Sequence, residues 1–162
     1  MSAVALRPFV PADARRCAQI FRASIEELAA EDYDANQREA WASTAEDEDA
    51  FGARLNAELT LLALIDGAIA GFASLKGANE IDMLYVDPEF ARRGAGGALL
   101  EALTKLARAR GATRLTTEAS EVARPLFERH GFTAVRRNVV RVDGEWLANT
   151  TMTKALDAVP TT

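Results

Sequence analysis

The sequence predicts one α/β (α+β) domain spanning residues 1–162, and three observations lead to this fold class. A chain of 162 residues has the usual length of a single domain. With 49% hydrophobic residues it can bury a core, which disordered chains cannot do. Its hydrophobic pattern alternates between helix and strand periods, without a low-complexity linker or a Pro/Gly-rich break.

The first part of the chain predicts a strand followed by helices. Residues 4–7 favour a short strand, and apolar residues at helical spacing over 17–28 predict the first helix. Residues 34–56 predict one or two further helices, with a break near Ser43 or Thr44.

The middle of the chain changes to the period of a strand. Residues 59–65 and 68–75 flank Asp66-Gly67, a pair typical of tight hairpin turns. Residues 80–86 predict a third strand. Three consecutive strands favour antiparallel pairing.

The remaining elements bring the total to about seven strands and four to five helices. We predict a loop over 88–97, a helix that stops at Gly111, a strand over 113–119, a helix over 120–130, and strands over 132–142 and 145–154.

The charge balance limits the classes of partner. There are 19 basic and 24 acidic residues, a net charge of −5 and a pI near 5.0, which argues against nucleic acid and favours an acidic cleft for a cationic substrate. Cys17 is the only cysteine, which excludes an intramolecular disulfide and a Cys-based zinc site, and we expect no metal. Without an apolar run long enough to span a membrane, we expect a cytoplasmic location.

Residues 86–100 carry the most informative motif. A predicted strand feeds a loop containing Gly94, Gly96 and Gly97, and a helix begins there, so that several backbone N–H groups and the positive helix end would meet. Arg92 and Arg93 add two cations, which suits a diphosphate. The alternative interpretation is a helix start at which glycine only permits close packing.

Two other phosphate motifs fail on their spacing. A Walker A loop needs Gly-Lys-Ser/Thr, but Gly97 is followed by Ala98. A dinucleotide fingerprint needs a third glycine three residues after Gly96, where the chain has Leu99, and it needs a first parallel strand before the loop. A separate nucleotide-binding module is therefore disfavoured.

The combined motif resembles the GNAT superfamily of N-acetyltransferases. The matching positions are Val86, Pro88, Gly94, Gly96, Leu99, Leu100, Gly131 and Phe132. The order of elements is similar over essentially the whole chain. The resemblance implies a central mixed, mostly antiparallel and strongly twisted sheet.

The resemblance also implies acetyl-CoA as co-substrate and transfer of its acetyl group to a primary amine of a small molecule or protein, by direct attack in a ternary complex. Backbone N–H groups of residues 92–97 would hold the diphosphate, and residues 84–86 would bind the pantetheine arm. The cofactor-binding residues implied are Leu84, Tyr85, Val86, Arg92, Arg93, Gly94, Ala95, Gly96, Gly97, Ser120 and Phe127. Ser120 replaces the family's Asn and would contact the pantetheine or cap the next helix.

Two positions depart from the family pattern. Ala91 stands where a Gln or Arg is usual, and Phe127 stands where the family usually has a Tyr that acts as general acid. The departures keep a second hypothesis open, an acyl-CoA-binding or sensing domain that has lost catalysis.

The catalytic candidates lie on the third strand of the hairpin series. Glu80 and Asp82 share a face at i, i+2 spacing and are the candidate bases, with a solvated strand face as the alternative for either. Glu118 is a weaker candidate. The N–H of Tyr85 or Val86 would polarise the thioester carbonyl.

The proton for the leaving thiolate has four candidate sources, which are Tyr85, Tyr33, His130 and water. Since a coenzyme A thiol is far more acidic than an alcohol, a dedicated acid is dispensable. His130 has a simpler interpretation as a favourable residue at a helix C-terminus.

The acceptor site is predicted near the first helices and the last two strands. Glu27, Tyr33 and Trp41, with Glu26 and Asp32, would line a pocket for a cationic amine, although Trp41 also suits a core position and the acidic residues a solvated surface. Exposed strands near the C-terminus would allow a homodimer.

Overall fold

The computed structural model describes residues 3–157, and its architecture is a seven-stranded sheet between two helical layers. The strand order is β1-β2-β3-β4-β5-β7-β6. The strands are β1 (Val4–Pro8), β2 (Leu59–Ile65), β3 (Ala68–Lys76), β4 (Glu80–Val86), β5 (Arg114–Ser120), β6 (Thr133–Val142) and β7 (Glu145–Ala155).

Two helices cover one face of the sheet and three cover the other. The helices are α1 (Ala14–Leu28), α2 (Ala35–Ala42), α3 (Glu48–Ala57), α4 (Ala95–Ala109) and α5 (Arg124–Arg129). The apolar side of α4 packs on β2, β3 and β4, whereas α1 and α3 pack on the opposite face around Phe72. This arrangement leaves the sheet buried on both faces at β2, β3 and β4.

A bulge interrupts the pairing of β3 with β4. Ser74 pairs with Met83 and Leu75 pairs with Ile81, so Asp82 is the extra residue. Because a bulge re-aims neighbouring side chains, Asp82 and Met83 both face the α1–α3 layer, where Asp82 meets Arg54 of α3.

The sheet opens between β4 and β5. These two strands are its only parallel neighbours among the described residues, and they pair at Glu80 with Thr116 and at Ile81 with Thr117. Beyond Ile81, β4 continues along β3, while β5 pairs with β7 up to Ser120. A gap therefore separates residues 84–86 from β5.

The structure confirms the predicted fold class and sheet. All seven strands lie at the predicted places, and the helical break predicted near Ser43 is a 3₁₀ turn over Ser43–Ala45. The helix predicted over 120–130 is wrong in extent, because residues 121–123 form a turn and α5 holds only Arg124–Arg129. The homodimer stays a prediction; β6, an edge strand, carries exposed Val135 and Val139.

No helix within residues 3–157 is long and apolar enough to cross a membrane.

Candidate active site

The first turn of α4 presents unpaired backbone donors. Gly94 adopts a left-handed conformation (φ 88°) just before the helix. The Ala98 N–H donates to the Gly94 carbonyl at 3.0 Å as the first bond of the helical ladder, so the N–H groups of Ala95, Gly96 and Gly97 precede that ladder. The predicted loop over 88–97 thus ends three residues earlier than expected, and its last glycines form a helix N-terminus.

Asp87 anchors the start of this loop, a role that the sequence analysis missed. Its carboxylate accepts the Glu89 N–H at 2.9 Å and pairs with Arg16 of α1, while its own N–H donates to the Ala70 carbonyl at 2.8 Å. An Asp directly before Pro88 is a helix-capping signal that the sequence does contain. The partner Arg16, 71 residues away, could not be found from it.

The two arginines of the loop have different surroundings. Arg92 adopts a positive φ of 63°, a conformation that is uncommon outside glycine, and its side chain is exposed. The Arg93 guanidinium lies 5.5 Å from the centre of the Phe90 ring and 3.6 Å from the Asp66 carboxylate. Arg93 is therefore held against the loop and the β2–β3 turn.

At alternate residues of β4, the backbone N–H and C=O groups point toward the gap. Because the Asp87 N–H donates to Ala70 of β3, the alternation of an antiparallel pair directs the Tyr85 N–H toward β3 as well. The N–H and C=O groups of Leu84 and Val86 then face the gap. This edge can bind an extended ligand through main-chain hydrogen bonds.

Residues from α4, β4 and α5 enclose the gap closely. A Cβ placed on Gly96 would lie 3.0 Å from Leu126 Cδ2 and within 3.8 Å of Val86 and Leu84 side-chain carbons. Glycine at this position thus permits close packing, and the anion-binding interpretation of the motif stays a prediction.

Ser120 and Phe127 lie on the far side of the gap. Ser120 Oγ accepts the Ala123 N–H at 3.1 Å and so caps the turn that leads into α5. Phe127 is buried and packs edge-on against Phe132, with ring centres 5.0 Å apart. Gly97 lies beside His130, whose Nε2 would be 3.4 Å from an added Cβ, which places this imidazole at the helix N-terminus.

A buried carboxylate pair lies beneath β4, and the sequence analysis named only one of its members. Asp82 accepts hydrogen bonds from Arg54 Nε at 3.1 Å and Nη2 at 2.7 Å. Burial, followed by a hydrogen bond with Asp82, raises the pKa of Glu58 to about 7. The bulge brings the pair together, because it turns Asp82 toward α3 and the start of β2.

Tyr85 lies on the same face of β4, inside an aromatic group. Its ring is 4.7 Å from Phe21 and 6.3 Å from Trp41, measured between ring centres. Burial raises the pKa of the Tyr85 phenol well above its usual value, so the hydroxyl keeps its proton at neutral pH.

The Tyr33 hydroxyl joins two strands. It donates to the Ala148 carbonyl at 2.7 Å and accepts the Glu121 N–H at 3.0 Å, immediately after the last β5–β7 pair. Burial raises the pKa of this phenol. Its proton is already used in a hydrogen bond, which weighs against Tyr33 as the acid.

Two cavities meet at Trp41 and Ser120. The smaller, which we call the slot cavity, has a volume of about 40 Å³ and is lined by Ser24, Ile25, Ala29, Trp41, Leu84, Tyr85, Ser120, Val122 and Ala123. The larger, which we call the hairpin cavity, has a volume of about 160 Å³ and is lined by Tyr33, Trp41, Ser120, Val140, Val142, Leu147, Ala148 and Asn149.

The acidic residues expected in the acceptor pocket lie elsewhere. Glu27 is exposed on α1 and lines neither cavity, and Glu26 lines a separate open groove of about 570 Å³ outside α2. Glu118 accepts hydrogen bonds from Asn138 Nδ2 and Thr151 Oγ1 at 2.8 and 2.7 Å on the exposed side of the sheet. The structure thus brings Tyr33 and Trp41 together, but not with Glu27.

A mixed sheet that opens beside a helix N-terminus, with a cavity at the end of the opening, is the architecture of an N-acetyltransferase, and comparisons with known proteins support this class. The profile of the acetyltransferase (GNAT) domain matches residues 29–156. An N-acetyltransferase of Escherichia coli (strain K12), the uncharacterized YafP, is 35% identical over 149 residues, which cover 92% of this chain and 94% of that protein. The chain therefore belongs to the GNAT family of acetyl-CoA-dependent acyltransferases.

Solved structures agree with this assignment. A GCN5-related N-acetyltransferase from Rhodopseudomonas palustris is 56% identical, with a TM-score of 0.94 over 96% of this chain and 98% of that one. The PaiA N-acetyltransferase from Thermoplasma acidophilum, solved in complex with coenzyme A, shares the fold with a TM-score of 0.75 at 19% identity over 95% of this chain and 99% of that one.

Proposed function

We propose that the protein transfers the acetyl group of acetyl-CoA to a primary amine by direct attack in a ternary complex. The observation that carries this proposal is the gap between β4 and β5, which begins beside the free N–H groups of α4 and ends at the slot cavity. One opening thus joins the helix N-terminus, where an anion would bind, to a small cavity in which the acceptor's amine would meet the acetyl group.

The residues around the gap suit an acyl-CoA. The N–H groups of Ala95, Gly96 and Gly97 and the positive end of α4 would bind the diphosphate, with Arg92 beside them. Leu84 and Val86 would bind the pantetheine arm through their backbone groups. The complex of PaiA with coenzyme A supports this ligand for the shared fold.

Acetyl-CoA supplies an activated acetyl group, and the chain would supply polarisation and a base. Because its N–H faces the gap, Val86 rather than Tyr85 would donate to the carbonyl oxygen as negative charge develops there. Asp82 lies four residues before Val86 on β4, about 13 Å away at the usual strand spacing, so it would accept the proton of the attacking amine through a chain of waters, while Arg54 holds its carboxylate in place. Glu80 remains a second candidate base on the same strand.

Thiol release from acetyl-CoA tests the proposal. Pools of polyamines, amino acids, aminoglycosides, apolar amines and Lys-containing peptides are each compared with the background without amine. We expect at least one pool to raise the rate, and Asp82→Asn to lower kcat at least tenfold, because a positioned base contributes about 10²–10⁴-fold.

Glu101→Gln is the matched control, since it makes the same change at an exposed position of α4. Binding of coenzyme A with no turnover in any pool would contradict acetyl transfer and favour a sensing domain.

A further inference from the structure

We propose that the acceptor is a small primary amine carrying one compact apolar group, such as a phenyl ring, and that this group binds in the hairpin cavity. The proposal rests on the proposed acetyl transfer, because it assigns the acceptor for the same site. It departs from the acidic pocket for a cationic substrate that the composition suggests.

The size of the hairpin cavity fits a single ring. Its volume of about 160 Å³ is close to the 150 Å³ or so of an engineered apolar cavity that binds benzene. Trp41 from α2 forms one wall, and Val140, Val142 and Leu147 from the β6–β7 hairpin form the other. Such a ring would contact aromatic and branched aliphatic side chains on both sides.

The lining of the two cavities disfavours an acceptor that carries a second cationic group. None of the described residues that line the slot cavity or the hairpin cavity carries a charged side chain. A dicationic amine would therefore place an ammonium group among apolar side chains without a counterion, which is costly. Glu26, Glu39, Glu46 and Glu48 line the separate open groove outside α2.

Two polar groups that line the hairpin cavity already have partners. The Tyr33 hydroxyl is bonded to Ala148 and Glu121, and Asn149 Oδ1 accepts a hydrogen bond from Asn138 Nδ2 at 3.0 Å. Apolar contact is consequently the main source of affinity that this wall can offer.

The two cavities meet at Trp41 and Ser120, which fixes the direction of the acceptor. A ring in the hairpin cavity would point its amine past these residues toward Leu84 and Tyr85 in the slot cavity. That end lies at the β4 edge to which the acetyl group is assigned.

The test compares phenethylamine with cadaverine, two primary amines of similar length of which one carries a ring and the other a second charge. We expect kcat/KM for phenethylamine to exceed that for cadaverine at least tenfold. Val140→Asp places a carboxylate in the cavity and should reduce this ratio at least tenfold. Val139→Asp makes the same change on the opposite face of β6, where Val139 is 62% exposed, and should leave the ratio unchanged.

Each outcome supports or overturns the assignment of the hairpin cavity. Equal or better use of cadaverine by the wild type would overturn the assignment, although acetyl transfer itself would stand. If neither amine is acetylated, calorimetry measures phenethylamine binding to the protein with coenzyme A bound. Binding weakened by Val140→Asp and not by Val139→Asp would keep the cavity assignment and contradict acetyl transfer, whereas absence of binding would overturn the cavity assignment.

Discussion

Among single residues, Tyr33 has a structural role that its sequence position does not indicate. Its hydroxyl lies between the Glu121 N–H and the Ala148 carbonyl, which would be the next ladder partners after Ser120 and Asn149. By occupying that place, Tyr33 ends the β5–β7 ladder, and its ring packs edge-on against Trp41 at 5.3 Å. The residue expected to bind the acceptor thus also shapes the cavity.

Removing this hydroxyl should destabilise the protein. Tyr33→Phe keeps the ring but leaves a buried N–H and a carbonyl unpaired, which costs about 1–3 kcal/mol. For a chain of this size each kcal/mol lowers the melting temperature by about 2–4 °C. Calorimetric melting measures the shift, and an unchanged Tm would show that water replaces the hydroxyl without loss.

Glu58 makes stability depend on pH. Its pKa is raised from an ordinary value near 4.5 to about 7 in the folded protein, chiefly by burial, so the folded state binds the proton more tightly. The contribution of the protonated Glu58 to the free energy of unfolding is full below pH 4.5 and is lost as the pH rises through 7.

Glu58→Gln should therefore raise Tm at pH 8 by a few degrees and leave a smaller difference at pH 5, as about 2–4 °C corresponds to each kcal/mol. Melting curves of both proteins across this pH range check the prediction. The exposed Glu101→Gln serves as the control and should show no such pH-dependent difference. If the difference in Tm between Glu58→Gln and the wild type were the same at every pH, the raised pKa would be refuted.

Among the elements, α4 packs on the sheet and is also the proposed anion-binding site, and a substitution can separate the two roles. Gly97→Asp places a carboxylate in the first turn of the helix, where negative charge is favourable for the helix itself. The same charge would repel a diphosphate bound there. We expect the variant to melt no lower than the wild type but to bind coenzyme A at least tenfold more weakly.

Calorimetric titration measures that affinity. Ala109→Asp, an exposed position at the far end of α4, is the matched control and should bind coenzyme A as the wild type does. Unchanged affinity in Gly97→Asp would place the diphosphate elsewhere.

The elements were largely predictable because their signals are local. Hydrophobic periods locate all seven strands, and the glycines place the start of α4 to within three residues. The segment after β5 is different, because residues 121–123 carry no breaker before Pro125. Only the local bond of Ser120 and the long-range bond of Tyr33 show that α5 starts at Arg124.

The site was predictable only where its groups lie in one stretch of sequence. The α4 loop is such a stretch, whereas the Glu58–Asp82 pair depends on a bulge in the β3–β4 pairing, which turns Asp82 toward a residue 24 positions earlier in the chain. The acidic residues of α1 indicated a pocket for a cationic amine, but Glu27 lies on the exposed face of that helix. Composition alone could not show which face a side chain occupies.

At the scale of the whole molecule, the sheet consists of two antiparallel parts joined at one short parallel contact. The first part, β1 to β4, carries the N-terminus of α4, where we propose that the diphosphate binds, and the second, β5 to β7, carries the hairpin cavity. Because the parts separate beyond Ile81, the gap between them would place an acyl donor and an acceptor at a shared boundary. In the proposed function, the reaction geometry thus follows from the fold.

The position of acetyl-CoA in this gap is tested most directly by amide NMR of the isotope-labelled protein. On addition of acetyl-CoA, we expect the largest shifts at the N–H groups of Val86, Ala95, Gly96 and Gly97, with small changes at Arg38 in the open groove outside α2. Shifts concentrated at that groove, with the four amides unchanged, would contradict the account.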